Sequence, residues 1–177
     1  MRLKVFFLDR DGIINKDIGY LHDIDKFEFV DGIVEVLQEI QKKGFKLIIV
    51  TNQSGIGRGY YSLAKYQLFN DLLIKKLKSV EINILDVFYC PHTPEDLCEC
   101  RKPKPGLINM ASSKYQIDKT KSWMLGDKIS DIESANNASI YKTILFTNET
   151  LSKTSLFKPK YTFNSMVDIL NLVKFIV

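Results

Sequence analysis

The chain has 177 residues, 45% of them hydrophobic and 26% charged, and carries a net charge of +4. That is enough apolar content for one domain with a sizeable core, and the small, scattered positive excess suits small anionic ligands rather than nucleic acid. No apolar run is long enough to span a bilayer, and Met1-Arg2-Leu3-Lys4 runs straight into the first strand, so no signal peptide is expected. The expectation is a cytoplasmic protein, one domain over residues 1–177, with no nucleic-acid or membrane partner.

In chain order, Lys4–Leu8 reads as the first strand, and its apolar run is followed at once by Asp9-Arg10-Asp11-Gly12. Alternation along an extended chain puts Asp9 and Asp11 on one side, with Arg10 turned away. Two carboxylates that close repel each other unless a cation lies between them or one keeps its proton. The pattern suits one carboxylate as nucleophile, its neighbour as acid and base, and a hard divalent ion shared nearby. A strand that merely ends in a polar turn would carry the same D-x-D. The stretch Asn15–Val30 is too long for a simple strand-to-helix connection and is expected to hold a small flap over the site, within residues 13–30. His22 lies there without an evident partner and reads as a surface residue.

Ile33, Val36, Leu37 and Ile40 have helical spacing, and Gly44 stops that helix. Lys46–Val50 is a second apolar strand, ending in Thr51-Asn52-Gln53-Ser54-Gly55. Hydroxyl, amide and backbone N–H groups there can cradle a phosphate, although an ordinary polar loop has the same composition. Gly55, Gly57 and Gly59 would allow close backbone approach to a ligand, or a mobile loop. Arg58 among them would meet an anion or solvent. Ser62 is a candidate N-cap for a helix carrying Leu63, Tyr66, Phe69, Leu73 and Leu77, and Asp86–Tyr89 is a short third strand.

The three cysteines, Cys90, Cys98 and Cys100, fall within eleven residues, and His92 falls among them. A disulfide framework would spread its cysteines along the chain. Three cysteines and a histidine form a closed tetrahedral zinc set with no position left for water, so the metal is expected to be structural. Reduced surface thiols are the alternative, and they leave the position of the histidine unexplained. Arg101-Lys102-Pro103 follows the last of these ligands directly, closing a zinc loop over residues 90–106. Lys102 is placed to neutralise phosphate charge and Arg101 to grip another anionic part of a substrate. Lys104 reads as solvated.

Pro105 and Gly106 precede a helix that runs through Tyr115, and Trp123–Leu125 is a fourth strand ending in Gly126-Asp127. Asp127 would complete an oxygen set for Mg²⁺ with Asp9. Asp131 lies one helical turn on, as a ligand, as outer support or as a partner of the helix dipole. Ser130 is a candidate cap for the helix that turns Ile132 and Ala135 inward. Thr143–Phe146, Tyr161–Phe163 and a helix over Met166–Phe175 complete the chain. Strand–helix alternation gives a Rossmann-like three-layer α/β/α sandwich with a mostly parallel sheet, in which Asp9, Thr51, Cys90 and Asp127 share the C-terminal edge.

The ordered set Asp9-x-Asp11, Thr51, Lys102 and Gly126-Asp127-x₃-Asp131 resembles the haloacid dehalogenase superfamily of aspartyl-phosphate-forming phosphatases over residues 4 to 146. Ile13 departs from it, standing where a threonine is frequent. Within the superfamily, Leu8-Asp9-Arg10-Asp11-Gly12, Gly19-Tyr20, Thr51-Asn52-Gln53-Ser54-Gly55, Arg58-Gly59, the Cys-x-His/Cys-x-Cys loop, Arg101-Lys102-Pro103 and Gly126-Asp127-Lys128 are similar to the subgroup of heptose-bisphosphate phosphatases.

That resemblance implies a minimal-cap enzyme which removes the C7 phosphate of D-glycero-D-manno-heptose 1,7-bisphosphate, acting as a monomer on the way to nucleotide-activated heptose. It implies Asp9 as nucleophile, Asp11 as proton donor and acceptor, and Thr51, Asn52 and Lys102 at the transferring phosphoryl group. Mg²⁺ would be held by Asp9, Asp127 and the Asp11 carbonyl. Substrate would be met by Asp17, Ile18, Gly19, Tyr20, Thr51, Asn52, Gln53, Ser54, Arg101, Lys102 and Lys128, with Lys128 also beside the metal. Histidinol-phosphate phosphatases share a very similar zinc loop and stay open as an alternative, with Ser54, Arg58-Gly59 and Gly19-Tyr20 against them. Polynucleotide 3′-phosphatases share the Thr-Asn-Gln loop but lack the zinc loop. A non-catalytic zinc module that binds phosphosugars would not need the Asp9/Asp11 pair.

Overall fold

Val5-Phe6-Phe7-Leu8 forms a strand (β1, Val5–Leu8) whose four side chains are all fully buried, because it lies at the centre of the sheet with helices over both faces. A computed structural model describes residues 2–149 and 157–176. Met1, residues 150–156 and Val177 lie outside the described residues, as do the parts of the N-terminal and single-domain expectations that fall on them. The other strands are β2 (Lys46–Asn52), β3 (Ile84–Cys90), β4 (Trp123–Gly126), β5 (Lys142–Phe146) and β6 (Tyr161–Phe163). Their order is β3-β2-β1-β4-β5-β6, and every named pair is parallel.

Among the described residues, five α-helices cover the sheet: α1 (Ile33–Lys42), α2 (Leu63–Ser79), α3 (Gly106–Tyr115), α4 (Ile129–Asn137) and α5 (Met166–Phe175). Alternation along β1 divides the core. Phe6 and Leu8 pack with Leu47, Ile49 and the inward faces of α1, α2 and α5, whereas Val5 and Phe7 pack with Ile48, Val50 and residues of α3 and α4. Each such side chain, removed from water, stabilises the fold by about 1.5–3 kcal/mol.

The connection order decides where a site can form. From β1 the chain moves outward through β2 and β3, then returns to place β4 on the other side of β1. The crevice beyond the C-terminal ends of β1 and β4 is therefore the switch point, where parallel α/β sheets bind ligands.

Local signals explain most boundaries. Ser62 caps α2, its hydroxyl accepting from the Lys65 N–H at 3.2 Å. Ser130 does not cap α4. Lys128 is the cap residue, and Asp131 reaches back to accept its N–H at 3.0 Å, so Ser130 lies inside the first turn. Strand β3 begins at Ile84, earlier than its apolar pattern suggests, because a register irregularity lets Ile84 pair with Leu47 and Asp86 with Ile48. The segment between β1 and α1 is anchored rather than free. Ile13, Ile14, Leu21 and Phe27 sink into the core, and Asn15 bridges to both Asp11 and Phe29.

Candidate active site

Asp9 leaves β1 with its N–H still donating to Leu125 O at 3.0 Å, so its carboxylate stands at the β1/β4 crevice. Gly12 makes the next turn at φ +86°, and a Cβ there would lie 2.3 Å from Asp127 Oδ2. Only glycine allows Asp127 to approach the Asp9-to-Gly12 turn so closely. Ligand oxygens of Asp9, Asp127 and Asp131 all lie within 4.8 Å of one another.

Three clustered carboxylates need compensation, and Lys102 supplies part of it. Its Nζ is 2.9 Å from Asp9 Oδ1, 2.6 Å from Asp131 Oδ1 and 2.8 Å from Val50 O, with the residue 4% exposed. Burial works against the lysine charge, but Asp131 and Asp9 outweigh it and raise its pKa. Burial is also the main reason that Asp9 is pushed up to about 7, with Lys102 opposing and Asp131, Asp127 and Asp11 adding to the rise. Burial, with Asp131 adding, likewise pushes Asp127 up to about 6 against Lys128 and Lys102.

This donor set fits a hard divalent cation: it is all carboxylate oxygen, and Asp127 Oδ1 is buried without a hydrogen-bond partner. Asp131 is engaged already, one oxygen with Lys102 and the other with the Lys128 N–H. That makes it support for the lysine more than a free ligand.

Asp11 is held by a frame that its motif alone does not reveal. Its Oδ1 accepts from Arg10 Nη2 at 2.9 Å, Arg10 Nε at 3.2 Å and Asn15 Nδ2 at 2.9 Å. Arg10 is fully buried, lies over the Phe69 ring and also donates to Leu21 O at 2.9 Å. An arginine turned away from the cleft thus ties Asp11 to the flap from below. The motif shows Arg10 turned away but not its hold on Asp11, and it gives no sign of Asn15, although a charge embedded in an apolar strand end is itself a signal.

Thr51 is buried at the end of β2. The Asn52 amide clasps Lys102, Oδ1 accepting its N–H at 3.0 Å and Nδ2 donating to its carbonyl at 3.1 Å. Gln53, whose N–H donates to Cys90 O at 2.7 Å, is buried and lines the cleft. Gly55 and Gly57 serve packing between loops rather than ligand approach. A Cβ at Gly55 would meet the Tyr61 ring at 2.2 Å, and one at Gly57 would meet Pro91 O at 2.8 Å. Arg58 faces Glu95 of the cysteine loop at 4.0 Å.

Cys90 closes β3, and its Sγ lies 3.0 Å from Cys100 Sγ, 3.5 Å from Cys98 Sγ and 3.6 Å from His92 Nδ1. All three cysteines are free. Burial and the neighbouring Cys100 and Cys98 thiols raise the Cys90 pKa. Cys98 is brought down to about 7 against its desolvation by the Arg101 N–H and the adjacent thiols. Three thiols and an imidazole nitrogen converging on one point fit a soft or borderline metal. The loop then sets Arg101, whose Nη1 donates to His92 O at 3.3 Å. Lys104, expected to be solvated, instead pairs with Glu99 at 2.9 Å and donates to Leu97 O at 3.0 Å.

These elements enclose a cleft of about 550 Å³. Asp9, Asp11, Asp17, Gly19, Tyr20, Thr51, Asn52, Gln53, Ser54, Arg101, Lys102 and Lys128 all line it. Tyr61, Pro94, Pro103 and Ser130 line it too, and none of them was expected to. Ile18 does not: the turn at Gly19 (φ +74°) and Tyr20 (φ +50°) leaves Ile18 56% exposed, outside the cleft. His22 is not an unpartnered surface residue. Its Nδ1 is 2.7 Å from Tyr20 O, and its ring stacks on Tyr61 with centroids 4.7 Å apart. Lys128 Nζ meets Asp17 at 3.1 Å and Asp127 at 3.5 Å. Asp127, Asp17 and Asp9 outweigh the desolvation of Lys128 and raise its pKa.

A buried Asp9 at a sheet switch point with Asp11 and Asp127 half-buried around it, beside a buried lysine and a cleft edged with cations, defines an α/β enzyme that handles anionic esters. The chain belongs to the haloacid dehalogenase-like hydrolase family, whose model matches residues 4–139. It is 46% identical over 151 residues to D-glycero-alpha-D-manno-heptose-1,7-bisphosphate 7-phosphatase of Photorhabdus laumondii, covering 81% of this chain and 82% of that protein. It is 38% identical over 178 residues to D-glycero-beta-D-manno-heptose-1,7-bisphosphate 7-phosphatase of Pasteurella multocida, covering 97% of both. The D,D-heptose 1,7-bisphosphate phosphatase from B. bronchiseptica, solved with magnesium and phosphate, superposes with a TM-score of 0.85 at 25% identity, covering 97% of this chain and 98% of that one. Family and relatives together make the chain a phosphatase.

Proposed function

We propose that this phosphatase removes the C7 phosphate of D-glycero-D-manno-heptose 1,7-bisphosphate and leaves the C1 phosphate in place. The observation that carries the reading is a cleft lined by three cations, one of them buried beside Asp9 and two others more exposed. Lys102 lies beside Asp9 at its floor, while Arg101 and Lys128 stand on its rim. A bisphosphate has one anion for the buried cation and another for the exposed ones. The names of relatives at 36–46% identity support the same substrate.

In this mechanism Asp9 attacks the C7 phosphorus. The bond from phosphorus to the C7 oxygen breaks, and Asp11 gives that oxygen its proton. Asp11 then takes a proton from the water that attacks the aspartyl-phosphate, which frees inorganic phosphate and restores Asp9. Thr51 and Lys102 stabilise the transferring group, and Asn52 holds Lys102 in place through its backbone. Asp9, Asp127 and the Asp11 carbonyl would hold Mg²⁺. That ion, when bound, offsets the negative charge shared by nucleophile and phosphate. Cys90, His92, Cys98 and Cys100 would hold a structural Zn²⁺.

We read residues 1–177 as one domain, with the flap at 13–30 and the zinc loop at 90–106 as parts of it. The enzyme works as a cytoplasmic monomer, and no helix among the described residues is long and apolar enough to cross a membrane.

A substrate panel tests the reading: both anomers of heptose 1,7-bisphosphate, histidinol phosphate and a 3′-phosphorylated oligonucleotide. One heptose anomer should exceed histidinol phosphate in kcat/KM by about 10²-fold or more, a margin of about 2.7 kcal/mol in the transition state. Histidinol phosphate turned over as well as the better anomer would defeat it.

A further inference from the structure

The resemblance places Gln53 against the substrate, but the structure gives its side chain other partners. Gln53 is 3% exposed. Its Nε2 donates to Asp11 Oδ2 at 2.9 Å and to Thr51 Oγ1 at 2.9 Å, and its Oε1 accepts from the Tyr61 hydroxyl at 2.8 Å. An amide nitrogen has two hydrogens, so no side-chain donor is left for a ligand. The reverse orientation of the amide would set its oxygen against the Asp11 carboxylate, so only this one is satisfied.

Tyr61 is held in turn. It is 5% exposed, His22 stacks on it, and Gly55 leaves the space that its ring occupies. Burial pushes its pKa up to about 12, so the hydroxyl keeps the proton that it donates.

The two oxygens of Asp11 consequently differ. Oδ1 takes three donors from Arg10 and Asn15, whereas Oδ2 takes only the Gln53 amide. Oδ1 is thus crowded by donors, whereas Oδ2, with one, keeps acceptor capacity free, and Asp11 lines the cleft. Oδ2 is therefore the oxygen able to carry a transferable proton.

We propose that Gln53 is a positioning residue for proton transfer: it aims Asp11 Oδ2 at the leaving oxygen and ties it to Thr51, with Tyr61 locking its amide. This rests on the reading of Asp11 as proton donor. In the step concerned, an Asp9 oxygen bonds to phosphorus, the phosphorus–oxygen ester bond breaks, its electron pair stays on the leaving oxygen, and the Asp11 Oδ2 proton moves there.

The leaving group separates positioning from mere structural support. An alkyl phosphate needs that proton, whereas p-nitrophenyl phosphate leaves as a stable phenolate and does not. Both substrates pass through the same aspartyl-phosphate, so kcat/KM, which ends at its formation, isolates the first step. Gln53→Met keeps the length of the side chain and removes its donors. Its kcat/KM on heptose 1,7-bisphosphate, or on another alkyl phosphate that the native enzyme hydrolyses, should fall by about tenfold or more. Its loss on p-nitrophenyl phosphate should be several-fold smaller. Tyr61→Phe, which removes only the lock, should shift the ratio in the same direction by less, and it serves if Gln53→Met fails to fold by circular dichroism. Asp11→Asn is the reference and should show the same selectivity more strongly.

Equal losses on both substrates in the two variants, with Asp11→Asn still selective, would overturn the role of Gln53 and leave Asp11 standing. A weaker affinity of Gln53→Met for inorganic phosphate, with equal loss of kcat/KM on both substrates, would mark Gln53 as a substrate contact instead, and would also overturn it. An unselective Asp11→Asn would remove the proton-donor reading itself.

Discussion

Arg101 and Lys102 are neighbours in sequence with opposite surroundings. Lys102 is buried among three acceptors, whereas Arg101 is half-buried on the rim and touches the cysteine loop. Their loss should therefore be felt differently. Lys102→Ala should lower kcat on every phosphomonoester by about 10²-fold or more, since it removes charge at the transferring group. It should also lower the melting temperature, because Asp9 and Asp131 lose the cation of a buried cluster, a change that costs about 3–5 kcal/mol. Arg101→Ala should raise KM mainly for bisphosphates, with little effect on a small monophosphate and on stability. Steady-state kinetics on both substrate types check this, and equal losses would contradict the division. At this scale the sequence is informative where a polar residue ends an apolar run, as at Asp9, Thr51 and Asp127, which the structure brings to one edge of the sheet. Arg10, Asn15 and Tyr61 act through side-chain hydrogen bonds to Asp11, Leu21 and Gln53 that form only once the loops around the site have folded, and no periodicity reports those contacts. Ile18 lies outside the cleft for a related reason: a turn with two left-handed residues, Gly19 and Tyr20, follows it.

Among the elements, the cysteine loop has the clearest separate task. It begins at the end of β3 and rests on the start of α3, where a Cβ at Gly106 would meet Glu99 O at 2.2 Å. It has little apolar surface of its own, so four metal bonds would hold it and with it Arg101. Cys98→Ser should reduce bound zinc from one per chain to near zero and lower kcat/KM about tenfold or more, the size of effect seen when metal-site support is lost. The Asp9 site should still respond to Mg²⁺, because its ligands come from β1 and β4. Elemental analysis with kinetics decides it, and a zinc-free protein of full activity would refute the role. Elements themselves were legible where periodicity is unbroken, as in β1, α1 and α2. They blurred where it is not: the β3 irregularity hid Ile84, and the Asp131 back-bond to Lys128 moved the start of α4.

At the scale of the whole molecule, one topological choice gathers the chemistry. Because β4 returns beside β1, acidic ends that lie more than a hundred residues apart share one crevice, and burial there raises Asp9 to about 7 and Asp127 to about 6. A carboxyl group raised in the folded state keeps its proton where the unfolded chain has lost it. Its contribution to stability is therefore complete below the unfolded value of 3.8 and is lost as pH rises through about 7. Mg²⁺ needs the ionised form, so its binding should tighten over the same window and release protons as it does so. The melting temperature gained on adding Mg²⁺ should accordingly be larger at about pH 8 than at about pH 5. A gain independent of pH would place the ion elsewhere.

The most direct measurement of the central claim is ³¹P NMR of heptose 1,7-bisphosphate during turnover, with Asp9→Asn as the control. The C7 phosphate signal should disappear into inorganic phosphate while the C1 signal, split by its anomeric proton, persists, and Asp9→Asn should leave both unchanged. Loss of the C1 signal first, or continued turnover by Asp9→Asn, would contradict it.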